Sequence, residues 1–336
     1  MSRVYLDWNA TAPLRPEARA AMISALDVVG NPSSVHGEGR EAKALVEGAR
    51  AAVAEAVGCK PVEVVFTAGA TEAASILARY EGAVVDETSH DALWAHHTGT
   101  GPVYAMGVAN SETGVLTEAA DHEGLTLLDV TQAVGRIPWS FAWSGADLAI
   151  VSAHKFGGPK GIGALIVRDG LDIPPLSRGG GQEMGRRSGT ENIAGIAGMG
   201  AAISAAMTDL AAGVWDGVAK LRNILEKTIE AAAPQTIFVG KEVDRLPNTS
   251  CFTTPGWKGE TQVMAMDLAG FAISAGSACS SGKVKSSRVL RAMGYSEVEA
   301  ASAVRVSLGP QTTEEDIRRF ADVWLKKRER HAARAA

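Results

Sequence analysis

The chain has 336 residues, 46% of them hydrophobic and 21% charged, which is typical of a globular protein with a large core and excludes disordered or fibrous proteins. Its formal charge of −5 comes from 33 basic and 38 acidic residues, so we expect no general attraction to nucleic acid or anionic membranes. At roughly 150 residues per domain, the length predicts about two domains.

The sequence gives no sign of export or of a metal site. We identify no apolar run of the roughly 20 residues that cross a bilayer, and the N-terminal residues do not follow the signal-peptide pattern. We therefore expect a cytoplasmic protein that does not bind membranes. Cys59, Cys251 and Cys279 are far apart and form no CxxC pair, and the histidine spacing matches no common ligand pattern. The prediction is no disulfide framework and no metal.

The first half of the chain alternates helical segments with short hydrophobic runs. Pro16 suits a first helical turn and predicts a helix to Leu26, and a longer helix is expected from about 39 to 57, ended by Gly58. Short β-rich runs end in small or polar residues at 63–67, 125–129, 148–151 and 164–167. Such runs between helices predict a mostly parallel sheet covered on both faces.

The second half begins with Ala-rich helical segments at about 193–212 and 214–233. Strand-like pieces follow at 236–240, 249–253, 272–274 and 304–308. Capping boxes are expected at Ser296 with Glu299 and at Thr312 with Glu315. We predict a large domain over 15–210 and a small α+β domain made of 1–14 plus 211–336.

Two strand ends carry residues suited to cofactor chemistry. Lys155 follows a hydrophobic strand and precedes a glycine-rich turn, where its amine is either a Schiff-base nucleophile or an ordinary solvated lysine. Asp129 ends another strand, as a partner for a pyridinium nitrogen or as a helix N-cap. In FTAGATEAA, Gly69, Ala70 and Thr71 lie at a predicted helix N-terminus, which favours an anion but also occurs as a simple cap. Together the three features describe a pyridoxal phosphate (PLP) site better than any one does.

Several motifs resemble those of cysteine desulfurases, the class V aminotransferase branch of the fold type I PLP enzymes. They occur in this order: FTAGATEA, LLDVTQAVG, SAHKFGGPKGIGAL, GRRSGTEN, SAGSACSSG and AVRVSLG. The resemblance covers about residues 4–320. It implies an α/β fold with a mostly parallel central sheet between helices, a smaller α+β domain, bound PLP and a homodimer with shared active sites.

The same resemblance assigns roles to individual residues. Lys155 corresponds to the lysine that carries PLP, Asp129 to the partner of the pyridine nitrogen and Gln132 to the contact of the phenolic oxygen. His90 corresponds to the histidine that stacks on the ring and assists proton transfer, and Asn110 to a further cofactor contact.

Other assignments concern the phosphate and the substrate. The phosphate-binding positions of the family match Ala70, Thr71, Ser152 and His154. Thr190 matches a residue that reaches the phosphate of the neighbouring subunit. Arg305 corresponds to the arginine that binds the substrate carboxylate, and Asn31, in the GNPSSVH turn, is assigned to substrate binding as well.

Cys279 lies in a run of small and polar residues typical of an exposed loop, where Lys283 and Lys285 favour its thiolate. The alternative, a buried inert cysteine, fits the apolar surroundings of Cys251 better. The implied reaction converts L-cysteine to L-alanine, leaves a persulfide on Cys279 and passes the sulfur to an acceptor protein that the sequence does not identify.

One segment departs from the resemblance. Only twenty residues separate His90 from Asn110, where the family carries a strand and a long helix. Three alternatives therefore stay open: a selenocysteine lyase, another aminotransferase-like lyase of class V, or a shortened non-catalytic paralogue that binds a partner.

Overall fold

A computed structural model describes residues 3–119, 122–276 and 286–335. The chain divides into a larger unit, Thr11–Ala109 with Thr117–Ala212, and a smaller one, Met1–Ala10 with Asn110–Leu116 and Gly213–Ala336. The sequence analysis had placed 110–116 in the large domain. That was wrong, because Val115 bridges to Arg245 and the Leu116 N–H donates to the Asp244 carbonyl, both in the smaller unit.

The larger unit is an α/β layer structure. Numbered along the whole chain, its strands are β2 Val64–Thr67, β3 Ala83–Val85, β4 Val103–Gly107, β5 Leu125–Asp129, β6 Leu148–Ser152 and β7 Gly163–Val167. Its helices are α1 Pro16–Leu26, α2 Gly37–Val57, α3 Ala70–Ala74, α4 Asp91–Trp94 and α5 Ile193–Ala211. The predicted signals at both helix ends are confirmed: Pro16 opens α1, and Gly58 ends α2 with a left-handed φ of 66°.

The central sheet has the strand order β2-β7-β6-β5-β4-β3. Strands β3 to β6 pair in parallel, whereas β7 runs antiparallel to both β6 and β2. The sequence of β6 and β7 is hydrophobic without alternation because every residue of these strands is buried. The prediction of a mostly parallel sheet is confirmed, although β3 and β4 were not predicted as strands.

Helix α5 packs closely against α1 and α2. A Cβ added at Gly200 would lie 2.8 Å from the Cα of Ala49 in α2, and one at Gly198 would lie 2.6 Å from Cγ of Met22 in α1. With 19 residues and a mean hydropathy of 1.4, α5 is long and apolar enough to cross a membrane, contrary to the sequence-based expectation. This is weak evidence for a span, because a core helix packed in this way has the same composition.

The sheet ends at β3, whose outer edge is covered by two side chains that we call the edge cap, His97 and Thr98. The Ala83 N–H donates to Oγ1 of Thr98 (2.9 Å), and the Thr98 N–H donates to the Ala83 carbonyl (2.9 Å). The Val85 N–H donates to Nδ1 of His97 (3.1 Å), whose ring stacks on Trp94 at 4.4 Å between centroids. These bonds replace the ladder that a further strand would provide.

The smaller unit is an α+β structure. Its strands are β1 Val4–Tyr5, β8 Ile237–Phe238, β9 Thr249–Thr253, β10 Phe271–Ala272, β11 Ser274–Ala275 and β12 Ala303–Ser307. Its helices are α6 Val214–Ala232, α7 Gly259–Asp267, α8 Arg288–Ala292, α9 Glu297–Ala301 and α10 Glu314–Ala335. Strands β11, β12, β9 and β8 form an antiparallel sheet in that order, and β1 pairs in parallel with β10.

Helix capping in this unit follows the sequence with one shift. The predicted capping box of Ser296 and Glu299 is confirmed at the start of α9. The box expected at Thr312 lies one residue later. There the Asp316 N–H donates to Oγ1 of Thr313, and the Thr313 N–H donates to Oδ2 of Asp316. Because adjacent threonines precede α10, the sequence did not decide which one caps it.

Candidate active site

The carboxyl ends of β2, β3, β4, β5 and β6 lie at one edge of the central sheet. The register shows this directly: Thr67 of β2 and Ser152 of β6 both pair with Gly163, the first residue of β7. Parallel α/β sheets bind ligands at this edge, since the connections that leave the strands there carry polar side chains. Most of the residues predicted for the cofactor lie in these connections.

Asp129 and Lys155 follow neighbouring strands. Asp129 is the last residue of β5, and the next backbone N–H, that of Val130, donates to Ile150 of β6. Its Oδ1 accepts a hydrogen bond from the Thr131 N–H (2.9 Å), so the capping role considered as an alternative is real. No described residue donates to Oδ2. Lys155 is half-buried in a 3-10 turn, Ala153–Lys155, directly after β6.

The proposed phosphate positions converge between β2 and β6. A Cβ added at Gly69 would lie 3.7 Å from Oγ of Ser152, which is buried, and Gly69 has a φ of 154° that other residues rarely adopt. Helix α3, which carries Ala70 and Thr71, has only five residues. Its dipole is therefore small, and an anion here depends on backbone N–H groups and on neighbouring side chains.

His154 is electrostatically unusual. Burial, together with the positive charges of Lys155, Lys160 and Arg136, lowers the pKa of His154 to about 4. The ring is therefore neutral near pH 7, and its Nδ1 lies 3.2 Å from Oγ1 of Thr11. A neutral imidazole that is surrounded by cations suits an anionic ligand, to which it donates one hydrogen bond.

Two further predicted cofactor residues lie in the larger unit. His90 follows β3 and is the N-cap of α4, where its Nδ1 accepts from the Ala92 N–H (3.1 Å). Gln132 is buried in the turn after β5, and its Oε1 accepts a hydrogen bond from Nη1 of Arg136 (2.6 Å). The sequence analysis did not assign Arg136. Its position four residues after Gln132 in a turn was the only available signal.

These residues fit PLP. Half-buried Lys155 supplies an amine, Asp129 has an oxygen to which no described residue donates, and Gly69 leaves room beside Ser152 for a phosphate group. A pyridinium N–H requires an acceptor of the Asp129 type, and a phosphate requires donors such as Ser152 and neutral His154. The donor and acceptor types agree with each part of the cofactor.

Thr190 lies on an exposed loop of the larger unit, which is anchored by Glu183. The buried Glu183 carboxylate accepts from Nη1 and Nη2 of Arg50 (2.8 and 2.9 Å) and from the Phe66 N–H (2.9 Å). Glu183 and Met184 have positive φ values of 50° and 58°, an uncommon backbone conformation that the buried ion pair stabilises.

Arg305 belongs to the smaller unit, where it lies on β12. Its Nη2 contacts Oδ1 of Asp7 (2.6 Å), and its Nη1 donates to the Ser111 carbonyl (3.0 Å). Asp7 also accepts from Oγ of Ser274 (2.9 Å), whereas no described residue accepts from the buried Nε of Arg305. The guanidinium is thus fixed in orientation. The sequence analysis treated Asp7 only as the end of a strand and missed this contact.

The remaining predicted residues have local roles in the structure. Asn110 is buried in the smaller unit, and its Oδ1 accepts from the N–H groups of Glu112 and Thr113 (2.9 Å each). Asn31 is exposed before α2, where its Oδ1 accepts from the Ser33 N–H (2.9 Å). Cys279 lies outside the described residues.

Comparison with known proteins identifies the family. Residues 4–92 and 102–320 match the family model of class-V aminotransferases. The chain belongs to this family. A cysteine desulfurase of Cereibacter sphaeroides is 39% identical, with 96% of this chain and 95% of the relative covered. Cysteine desulfurase IscS of Dictyoglomus turgidum is 33% identical, with 95% and 93% covered. Class-V aminotransferases of the cysteine desulfurase type are PLP-dependent.

The solved structures agree with this assignment. A NifS-like protein from Rickettsia africae ESF-5 superposes with a TM-score of 0.89 at 30% identity, over 97% of this chain and 99% of that one. The fold is that of fold type I PLP enzymes.

The comparison also locates the shortened segment. The alignment with the Cereibacter relative spans 371 positions, more than the 336 residues of this chain, so the relative contains residues that this chain lacks. The family model is interrupted between residues 92 and 102, within the connection from β3 to β4. The chain is therefore a short member of its family, and the edge cap lies at the site of the interruption.

Proposed function

We propose that this chain is a PLP-dependent cysteine desulfurase, which converts L-cysteine to L-alanine and stores the sulfur as a persulfide on Cys279. The observation that carries the proposal is the placement of Asp129 and Lys155 at the carboxyl ends of the neighbouring strands β5 and β6. In a class-V aminotransferase whose relatives are cysteine desulfurases, this arrangement supports a working cofactor site rather than a binding paralogue.

The residues of the larger unit would bind the cofactor and move the first proton. Lys155 would hold PLP through its amine, Oδ2 of Asp129 would keep the proton on the pyridine nitrogen, and Ser152 and His154 would bind the phosphate. Bound PLP supplies the electron sink for the substrate's α-carbon. Once substrate has displaced it, the Lys155 amine removes the α-proton, with His90 assisting as a proton carrier.

Residues outside the larger unit would complete the reaction. Arg305, oriented by Asp7, would bind the substrate carboxylate. The Cys279 thiolate attacks the substrate sulfur, and a new S–S bond forms as the C–S bond breaks. The electron pair of that bond stays on the substrate carbon, which is protonated to give alanine. A second thiol, on an acceptor protein, then receives the sulfur.

We also propose a homodimer and a cytosolic location. Thr190 is exposed on its anchored loop, as a residue that reaches a second subunit would be. Leu26, Val29 and Val35 are 72%, 92% and 88% exposed, which is costly for apolar side chains unless another subunit covers them. Cys59 and Cys251 are free thiols, in keeping with a reducing compartment.

The test is a spectrum and a product assay on purified protein supplied with PLP. We expect a visible band from lysine-bound PLP and equal amounts of alanine and sulfide from L-cysteine with a reductant. Lys155→Ala should lose the band, whereas Cys279→Ala should keep it and lose sulfide release. Cys251→Ala is the matched control, because burial raises the pKa of the Cys251 thiol to about 12 and leaves it inert. Sulfide release by Cys279→Ala would contradict the proposed nucleophile.

A further inference from the structure

A buried arginine links two of the residues assigned to the cofactor. Arg136 is 3% exposed and lies in the turn after β5. Its Nη1 donates to Oε1 of Gln132 at 2.6 Å, and its Nη2 donates to the backbone carbonyl of Lys155 at 2.9 Å. One guanidinium therefore spans from the turn after β5 to the turn after β6.

The contact with Gln132 determines which way its amide faces. A glutamine amide has an acceptor oxygen and a donor NH2 of nearly the same shape, and it can turn over at little cost in a neutral environment. Arginine has only donors, so the oxygen must face Arg136. The pair is buried, and a charge-assisted hydrogen bond is stronger there than in water. The NH2 group is therefore the only part of this amide that can serve an acceptor on the cofactor.

The phenolic oxygen of PLP is such an acceptor. With the amide reversed, the glutamine oxygen would face the phenolic oxygen, and two acceptors repel each other. A donated hydrogen bond instead stabilises negative charge on the phenolic oxygen. The orientation of one buried amide thus decides whether Gln132 helps or opposes this charge.

We infer that Arg136 is a positioning residue, which holds the Gln132 amide with its NH2 group toward the phenolic oxygen of PLP and fixes the backbone of Lys155 beside it. This inference rests on the proposed function only as far as PLP binding. Arg136 acts through Gln132 and Lys155 and touches no substrate. Its charge reaches this turn, since it contributes to the lowered pKa of neighbouring His154.

The inference predicts a spectroscopic effect that loss of stability alone would not produce. A hydrogen bond to the phenolic oxygen makes that oxygen a weaker partner for the proton on the Lys155–PLP linkage, so the proton is lost at lower pH. Removing the donor should raise the midpoint pH of the visible-band titration. A hydrogen bond to a charged group corresponds to roughly one to two pH units.

The experiment compares four variants of the PLP-loaded protein by pH titration of the visible band. Gln132→Ala and Arg136→Met should raise the midpoint by similar amounts, and the double variant should raise it no further than Gln132→Ala. Arg136→Lys, which keeps a donor, should recover part of the shift. Should Arg136→Met not fold, Arg136→Gln takes its place.

Arg168→Met is the matched control. Arg168 lies in the same unit and donates to the backbone carbonyls of Ala146 and Phe141, so its loss should lower stability without moving the midpoint. An unchanged midpoint in Arg136→Met or in Gln132→Ala would overturn the inference, as would additive shifts in the double variant. Wild-type protein that binds PLP but leaves cysteine intact would refute the proposed function alone, because the titration requires no turnover.

Discussion

The edge cap offers a quantitative test of how this short chain closes its sheet. In Thr98→Val the hydroxyl is replaced by a methyl group of similar size. The Ala83 N–H, on a residue with no exposed surface, then loses its acceptor at 2.9 Å. The bond that the hydroxyl donates to the Thr100 carbonyl (2.6 Å) is lost as well.

The expected loss of stability follows from these two bonds. Leaving a buried N–H without a partner costs about 1–3 kcal/mol, whereas the bond to Thr100 is exposed and contributes less than about 1 kcal/mol. We therefore expect Thr98→Val to lower the free energy of unfolding by about 2 kcal/mol. Thr98→Ser keeps the hydroxyl and should lie within about 0.5 kcal/mol of the wild type.

Urea unfolding monitored by circular dichroism measures both variants under the same conditions. A second control is Thr228→Val, since Thr228 donates to the Ile224 carbonyl on the exposed face of α6 and covers no strand. If Thr98→Val were as stable as Thr98→Ser, water would satisfy Ala83 equally well, and the edge cap would contribute nothing to closing the sheet.

The other predictions concern buried charges of the larger unit. Glu183→Ala leaves the Arg50 guanidinium buried without its main partner and should cost about 3–5 kcal/mol in urea unfolding. Glu47→Ala removes the half-exposed partner of the same arginine and should cost less than about 0.5 kcal/mol; equal losses would refute the argument.

The depressed pKa of His154 means that the unfolded chain binds its proton first, so stability should fall as the pH drops from about 6.5 toward 4. In cofactor-free protein, His154→Gln should remove about 1–2 kcal/mol of this decrease, allowing for the partial exposure of the ring; identical pH profiles would show that His154 is not involved.

The sequence predicted features whose signal lies within a few residues. The hydrophobic runs that end at Asp129 and Ser152 mark β5 and β6, and Gly58 marks the end of α2, since a left-handed residue there nearly requires glycine. The position of Lys155 after β6 followed from the same pattern. The roles assigned to individual cofactor residues came from the family motifs and stay predictions.

Features that depend on distant partners could not be predicted in this way. Strand β3 has three residues and gives no period, and only the fold shows that Thr98 covers it. Asp7 and Arg305 are paired across nearly three hundred positions of sequence. Arg136 was missed for a different reason: a basic residue in a turn usually indicates solvent exposure, whereas here it is buried by its partners.

The single antiparallel strand of the central sheet gives Lys155 an unusual independence from the rest of the sheet. Because β7 returns directly alongside β6, Lys155 lies in a hairpin loop, closed where Ser152 pairs with Gly163 and tightened where the Ala153 N–H donates to Ile162. A crossover connection would tie the lysine to remote helices. The geometry of this loop is set by about twenty consecutive residues, so removal of chain between β3 and β4, three strands away from β7, leaves it unaltered.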